Sequence, residues 1–155
     1  MRQTTFLIDD YLRPDEAIHF ARKELSTRAP DTAHDHDFFE VFLIESGRTA
    51  HWINGETQQL SPGQLVFIRP ADAHAFRADR GVGCQIINVM FRAEPAAHLA
   101  ARYADTIAGA FFDSTTPMPD MHMLEPVRFA RAVNVARQLQ MADRSLARIE
   151  EFLLV

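Results

Sequence analysis

Three histidines and a carboxylate stand close together in the first half of the chain. His34 and His36 are separated by one residue, Glu40 follows, and His74 closes the segment Pro70-Ala71-Asp72-Ala73-His74. The pattern is H-x-H-x3-E, then P-x3-H. Imidazole nitrogens and a carboxylate oxygen are ligand types that divalent first-row metals accept, and Zn, Ni, Mn and Fe are all chemically allowed. Several constrained positions make this more specific than a lone histidine pair. The bland alternative is that the same residues line a polar pocket without metal.

The elements that must bring these groups together are strands. Val41, Phe42, Leu43 and Ile44 follow Glu40 directly and read as a buried strand ended by Gly47. In a straight strand, His34, His36, Phe38 and Glu40 share one side. His34 and His36 would then be ~6.6 Å apart, close enough for their rings to converge. Positions 36 and 40 would be ~13 Å apart at ~3.3 Å per residue. Metal bonds of ~2.0–2.2 Å cannot span that. Glu40 therefore joins the site only where the chain bends or bulges near Asp37-Phe38. His74 must arrive from a different strand.

The remaining chain supplies such strands. Residues 1–16 read as an arm or edge segment, Ile18–Leu25 as a first strand and Ser26–Thr32 as a loop. Asn54-Gly55 lies between the strand-like runs Arg48–Ile53 and Glu56–Leu60, and Asn-Gly in that setting is a strong hairpin signal. Ser61-Pro62-Gly63 is a second turn. Leu65–Arg69, Ala75–Ala78 and Cys84–Arg92 complete a series of short strands that predicts an antiparallel sandwich or barrel over about residues 16–92. After Pro95 the texture becomes helical. Ala96–Ala110 carries Leu99, Tyr103 and Ile107 at four-residue spacing, Asp113–Asp120 is a proline-containing loop, and Glu125–Gln140 carries Phe129, Val133, Ala136 and Leu139. A last helix over about Ser145–Val155 presents Leu146, Ile149, Phe152 and Leu153 as one stripe. That stripe and the apolar Leu153-Leu154-Val155 end predict burial in a dimer, or a helix continuing in a longer protein.

Composition narrows the function. The 155 residues include 47% hydrophobic residues and 12 Phe, enough for one sizeable core. Net charge is −5, with no Lys/Arg run to neutralise phosphates, so direct DNA binding is not expected. No apolar run approaches the ~20 residues of a membrane span. The single Cys84 and the lack of a signal-peptide core point to the cytoplasm.

Other residues are weighed against ordinary packing. Trp52 offers a flat face on which a sugar ring could stack, although a lone strand Trp is more often core. Phe38, Phe42, Phe67 and Phe76 can line a pocket or simply fill the interior. Arg69 and Arg77 flank the His74 segment and could hold a carboxylate or phosphate, while solvated strand ends are the commoner outcome. His19, His51, His98 and His122 lack ligand spacing and read as ordinary histidines. No Ser-His-Asp order, P-loop or G-x-G-x-x-G is present.

The segment from His34 through Phe76 resembles the N-terminal ligand-binding and dimerisation domain of AraC-type transcription regulators, above all the sugar-responsive ones, within the cupin superfamily. The resemblance implies a mainly β fold: an antiparallel cupin (jelly-roll) barrel over residues 1–94, followed by a helical dimerisation segment over 95–155, with the family's DNA-binding helix-turn-helix part absent. It implies a small-molecule effector, a sugar or sugar derivative, held near Phe38, Phe42, Trp52, Arg69 and Phe76. A divalent metal would sit on His34, His36, Glu40 and His74. Pro70-x3-His74 is one residue shorter than the usual P-x-G-x2-H, Asp72 falls near the glycine position, and no Asn follows where one is expected. These departures weigh against a complete catalytic metal site. The competing reading is a stand-alone metal-dependent cupin enzyme, an oxygenase, isomerase or hydrolase.

Overall fold

The computed structural model describes residues 4–27, 32–105 and 115–153. The strands are β1 (Thr4–Phe6), β2 (Ile18–Glu24), β3 (His34–His36), β4 (Phe39–Gly47), β5 (Thr49–Ile53), β6 (Glu56–Leu60), β7 (Gln64–Ile68), β8 (His74–Ala78), β9 (Cys84–Phe91) and β10 (Met121–Met123). The helices are α1 (Ala93–Arg102), α2 (Pro126–Leu139) and α3 (Leu146–Leu153), with a short 3-10 turn at Ile8–Asp10. The strands form two five-stranded sheets, ordered β1-β3-β8-β5-β6 and β10-β7-β4-β9-β2. This is the mainly β arrangement of two sheets, with helices after it, that the strand pattern leads one to expect.

The central strand β4 shows why its sequence is apolar at nearly every position. Phe42 and Ile44 face the other sheet and pack with Ile53, Val66, Ile68, Phe76 and Ile86 in the barrel interior. Val41 and Leu43 face the opposite way, with Ile87 and Val89 of β9, against Leu99, Ala132, Ala136, Leu139 and Phe152 of the helices. A strand covered on both faces reads as a continuous hydrophobic run rather than an alternation. Burying each Leu or Ile contributes ~1.5–3 kcal/mol.

The Asn54-Gly55 hairpin forms as expected, with φ 47 and 95 at the two positions, the positive values a type I′ turn requires. Gly47, at φ 78, ends β4 where a Cβ would collide with the backbone of Gly83, so no other residue fits that turn.

Three features depart from the strand pattern read from the sequence. β1 runs parallel to β3, Thr4 opposite His34 and Phe6 opposite His36, so one pairing of the barrel is not antiparallel. Met121–Met123 is a strand rather than a connection, and it extends the second sheet beside β7. The segment after Pro95 therefore contributes a strand as well as helices to the same body. His34–His36 and Phe39–Gly47 are two strands in different sheets, not one. Helix α1 covers the first half of the expected Ala96–Ala110 helix, with Leu99 buried, while Ile107 lies outside the described residues. Phe152 is buried against the barrel and Leu146 packs beside it, so this part of the last helix's stripe is used within the chain. The side chains of Ile149 and Leu153 lie outside the described residues.

Candidate metal and effector site

The site is made by the corner between β3 and β4. At Asp37 and Phe38 the chain leaves one sheet and enters the other. Asp37 N–H donates to the Phe6 carbonyl at 3.2 Å, the Asp37 carboxylate accepts from Ile8 N–H at 2.8 Å, and Ala71 N–H donates to the His36 carbonyl at 3.1 Å. The corner is thus held from three directions. It replaces the ~13 Å separation of a straight strand with contact: His36 Nε2 lies 3.2 Å from Glu40 Oε2.

His74 enters from β8. Its register neighbours are His34 of β3 and Ile53 of β5, so it projects beside both. His74 Nε2 stands 3.7 Å from the same Glu40 oxygen. Ligand-capable atoms of His36, Glu40 and His74 all lie within 4.8 Å of one another, and all three side chains are buried. Tetrahedral coordination with bonds of ~2.1 Å places ligand atoms ~3.4 Å apart, which the two Glu40 contacts bracket.

The protons fit a metal too. The Phe38 carbonyl, 2.7 Å away, can only accept, so His36 Nδ1 carries the ring proton in the neutral form and Nε2 keeps its lone pair. The Phe38 ring stacks on that imidazole at 4.1 Å. Despite the short approach to Glu40, Nε2 of His36 and Nε2 of His74 are both buried without a properly directed hydrogen bond. Two unpaired buried nitrogens aimed at one carboxylate are costly unless something bridges them. A divalent cation on His36, Glu40 and His74 would do so.

Burial pushes the imidazole of His74 down to about 3, with Glu40 offsetting part of the effect. Burial likewise lowers His51 to about 4. Burial would raise the Glu40 carboxyl, but the close contact with His36 and the other histidines outweigh it and hold it well below the usual carboxylate range. At neutral pH the Glu40 carboxylate is ionised and His74 is neutral, the charge states that metal binding requires.

The other expected site residues divide. His34 is half-buried beside the trio: its ring lies 4.5 Å from that of His74 and 4.6 Å from Phe6, with Nδ1 3.1 Å from the Thr32 carbonyl. Phe42 and Phe76 are on the inner wall, 5.0 Å apart edge to face. Phe38 caps the end of the barrel with Ile8, Leu12 and Met90. Trp52 alternates with buried His51 and Ile53 on β5, which puts its partly exposed side chain on the outer face of the sheet. Arg69 is committed to a structural pair: Nε and Nη2 each reach Asp72 at 2.9 Å, and Nη1 donates to the Thr116 carbonyl at 2.8 Å. Asp72 also accepts from Asn54 Nδ2 at 2.8 Å, so this network holds the loop leading into His74. Arg77 is exposed on the outer side of β8.

Two residues escaped the sequence reading. His51, taken as ordinary, is fully buried and its Nε2 is 3.2 Å from His74 Nδ1. Its position at the apolar parity of β5, between Thr49 and Ile53, was the available signal. Asn88 interrupts the apolar run of β9 opposite Phe42, on the same side as interior Ile86, and its Oδ1 is buried without a partner. Cys84 is buried and its thiol is raised to about 11 by desolvation, so it is inert at neutral pH.

Between the two sheets, buried His36, Glu40, His51 and His74 form a polar cluster beside an otherwise apolar interior. The model of the AraC-like ligand binding domain matches residues 13–151, and the chain belongs to that family. It is 37% identical over 75 residues to the HTH-type transcriptional activator RhaS of Yersinia pestis (strain Pestoides F), a stretch that is 46% of this chain and 27% of that protein. The same figures hold for RhaS of Yersinia pseudotuberculosis serotype O:1b. The match thus spans about a quarter of the length of these curated relatives. Among solved structures, apo ToxT from Vibrio cholerae superposes with a TM-score of 0.67 over 89% of this chain and 52% of that one, at 6% identity, a likeness of fold. Among the described residues, no helix is long and apolar enough to cross a membrane.

Proposed function

We propose that this domain is the effector sensor of a transcription regulator, and that it binds a small polyhydroxylated molecule, a sugar or sugar derivative, inside the barrel. The observation that supports this best is the convergence of His36, Glu40 and His74, buried and with two nitrogens unpaired, on the inner wall of an AraC-like ligand binding domain. A divalent metal held there would act as a Lewis-acid anchor for hydroxyl or carboxylate oxygens. Phe42 and Phe76 would supply apolar walls, Asn88 a polar contact, and Phe38 and His34 the rim. Trp52 and Arg69, included by the sequence pattern, would act indirectly through the sheet and the His74 loop.

The occupied state would be passed on through the helices, which share a core with β4 and β9. In the parent regulator, two copies would associate through their carboxyl-terminal helices and hold two DNA-binding parts. Val127, 72% exposed on α2, leaves apolar surface for that contact. Light scattering should show a dimer at tens of micromolar that Val127→Glu weakens, and a monomeric wild type removes the dimer from the proposal. Work in the cytoplasm agrees with the free thiol of Cys84.

The test of sensing is zinc titration followed by thermal-shift screening of monosaccharides and their derivatives, with and without zinc, using protein free of a histidine tag. We expect about one zinc per chain in wild type, none in His36→Ala/His74→Ala, and a sugar that raises the melting temperature of wild type alone. Equal zinc content in the two proteins refutes the metal. The unpaired nitrogens also favour a second reading, a metal-dependent cupin enzyme. Chemical conversion of a bound ligand by the zinc-, iron- or manganese-loaded domain would establish that instead.

A further inference from the structure

Gln58 has no evident link to the histidine centre in the sequence, yet it contacts it through one intermediary. It lies half-buried on β6, the edge strand of its sheet, with its amide Nε2 3.0 Å from His51 Nδ1. His51 Nε2 is 3.2 Å from His74 Nδ1. His74 Nε2 then faces Glu40. A neutral imidazole carries one ring proton, so one nitrogen donates and the other accepts. Two such rings in series with the Gln58 amide have two self-consistent settings.

In the first setting the Gln58 amide nitrogen donates to His51 Nδ1. His51 then donates from Nε2 to His74 Nδ1, and the ring proton of His74 sits on Nε2, pointing at the centre. In the second setting the amide is turned by half a rotation. Gln58 Oε1 accepts from His51 Nδ1, His51 Nε2 accepts from His74 Nδ1, and His74 Nε2 presents a lone pair. Only the second lets His74 serve as a metal ligand. His36 has no such choice, because the Phe38 carbonyl holds its proton on Nδ1 in either case.

We propose that Gln58 and His51 are positioning residues: as a relay they set the tautomer of His74 and thereby its availability as a ligand. The role of His74 as ligand rests on the metal reading above, whereas the relay can be measured without metal. In the structure the Gln58 amide nitrogen faces His51 Nδ1, the arrangement of the first setting. Metal binding would turn the amide and move both ring protons together. Hydrogen-bond support of this kind fixes ligand tautomers and orientation in metal sites generally.

The experiment uses the full 155-residue chain with ¹⁵N-labelled histidine, and long-range ¹H–¹⁵N spectra that separate protonated from bare ring nitrogens. Without metal, His51 and His74 should both be protonated at Nε2. Zinc should move both to Nδ1. Gln58→Leu offers neither donor nor acceptor, and should give His51 a mixture of tautomers and weaken zinc binding ~10–100-fold. Gln58→Met, closer in length, gives the same readout if Leu disturbs the strand. The two rings found in mismatched settings, or ring shifts of His51 and His74 unchanged by loss of the Gln58 amide, overturn the relay. A wild type that takes up no zinc overturns the metal reading instead, and the metal-free spectra with and without the Gln58 substitution still decide the relay.

Discussion

His36 Nε2 lies 3.2 Å from Glu40 Oε2, and the residue between them that makes this possible is Phe38. Its carbonyl accepts from His36 Nδ1 at 2.7 Å and its ring stacks on the imidazole at 4.1 Å while packing against Ile8, Leu12 and Met90. One side chain thus anchors the corner and orients a candidate ligand. Its backbone carbonyl would survive substitution, but its packing would not. Phe38→Ala should cost ~3–5 kcal/mol of stability, as expected for a large buried aromatic. It should also broaden the His36 ring resonances. Urea unfolding measures the first effect and histidine NMR the second. A loss under about 1 kcal/mol would mean the corner is held by its backbone bonds alone.

Asp72 offers a second, separate handle on the site. It accepts from Arg69 N–H at 2.8 Å, from Arg69 Nε and Nη2, and from Asn54 Nδ2. It precedes His74 by two residues, in a loop where Ala71 adopts φ 68. Asp72→Ala takes away the carboxylate that faces the Arg69 guanidinium and should cost ~3–5 kcal/mol, the usual penalty for breaking a buried pair. Arg69→Met/Asp72→Leu, which removes both charges, should be less damaging than either single change. Thermal melts of the three variants check the order, and a double variant worse than both singles contradicts it.

Stability should fall in mild acid. His51 and His74 have folded-state values of about 4 and about 3, below the ordinary value of 6.5. Between those limits the unfolded chain binds protons that the folded chain does not, so stability rises with pH across the window. The contribution is fully present above pH ~6.5 and is lost as pH falls toward ~3–4, at up to ~1.4 kcal/mol per pH unit for each histidine. The depressed Glu40 carboxyl acts in the same direction below pH ~4.5. Urea melts from pH 7.5 to 4.5 should show the decline, and His51→Phe should flatten it. A midpoint independent of pH would show that the buried rings are already protonated or solvated.

The isolated domain should leave duplex DNA alone. Its net charge is −5, and nonspecific affinity arises from neutralising phosphates with clustered cations. Several of the arginines are also engaged: Arg22 with Glu45 at 2.6 Å, Arg92 with Asp9 at 2.6 Å, and Arg69 with Asp72. Gel shifts at low salt should show free probe at tens of micromolar protein. A salt-sensitive complex would reverse this expectation.

Local signals in the chain were enough to place most strands, the Asn54-Gly55 turn, the helices and the family likeness. Each depends on periodicity or turn chemistry within a few residues: β6 runs Glu56–Leu60 as read, and Phe129, Val133, Ala136 and Leu139 face the barrel as their spacing predicts. The need for a bend near Asp37-Phe38 was also legible, because a straight strand keeps His36 and Glu40 too far apart. What local pattern could not supply was the partner across a gap. β10 is three residues long and has no period to detect; pairing with β7 makes it a strand. Trp52 and His51 are adjacent and opposite in fate, because the register of β5 against β8 turns one outward and the other into the barrel. Arg69 looked available for a ligand until the loop brought Asp72 and Thr116 to it. His51 and Gln58 reach the centre only through closure of the barrel, which sets contacts between residues whose separation along the chain carries no information about their distance in space.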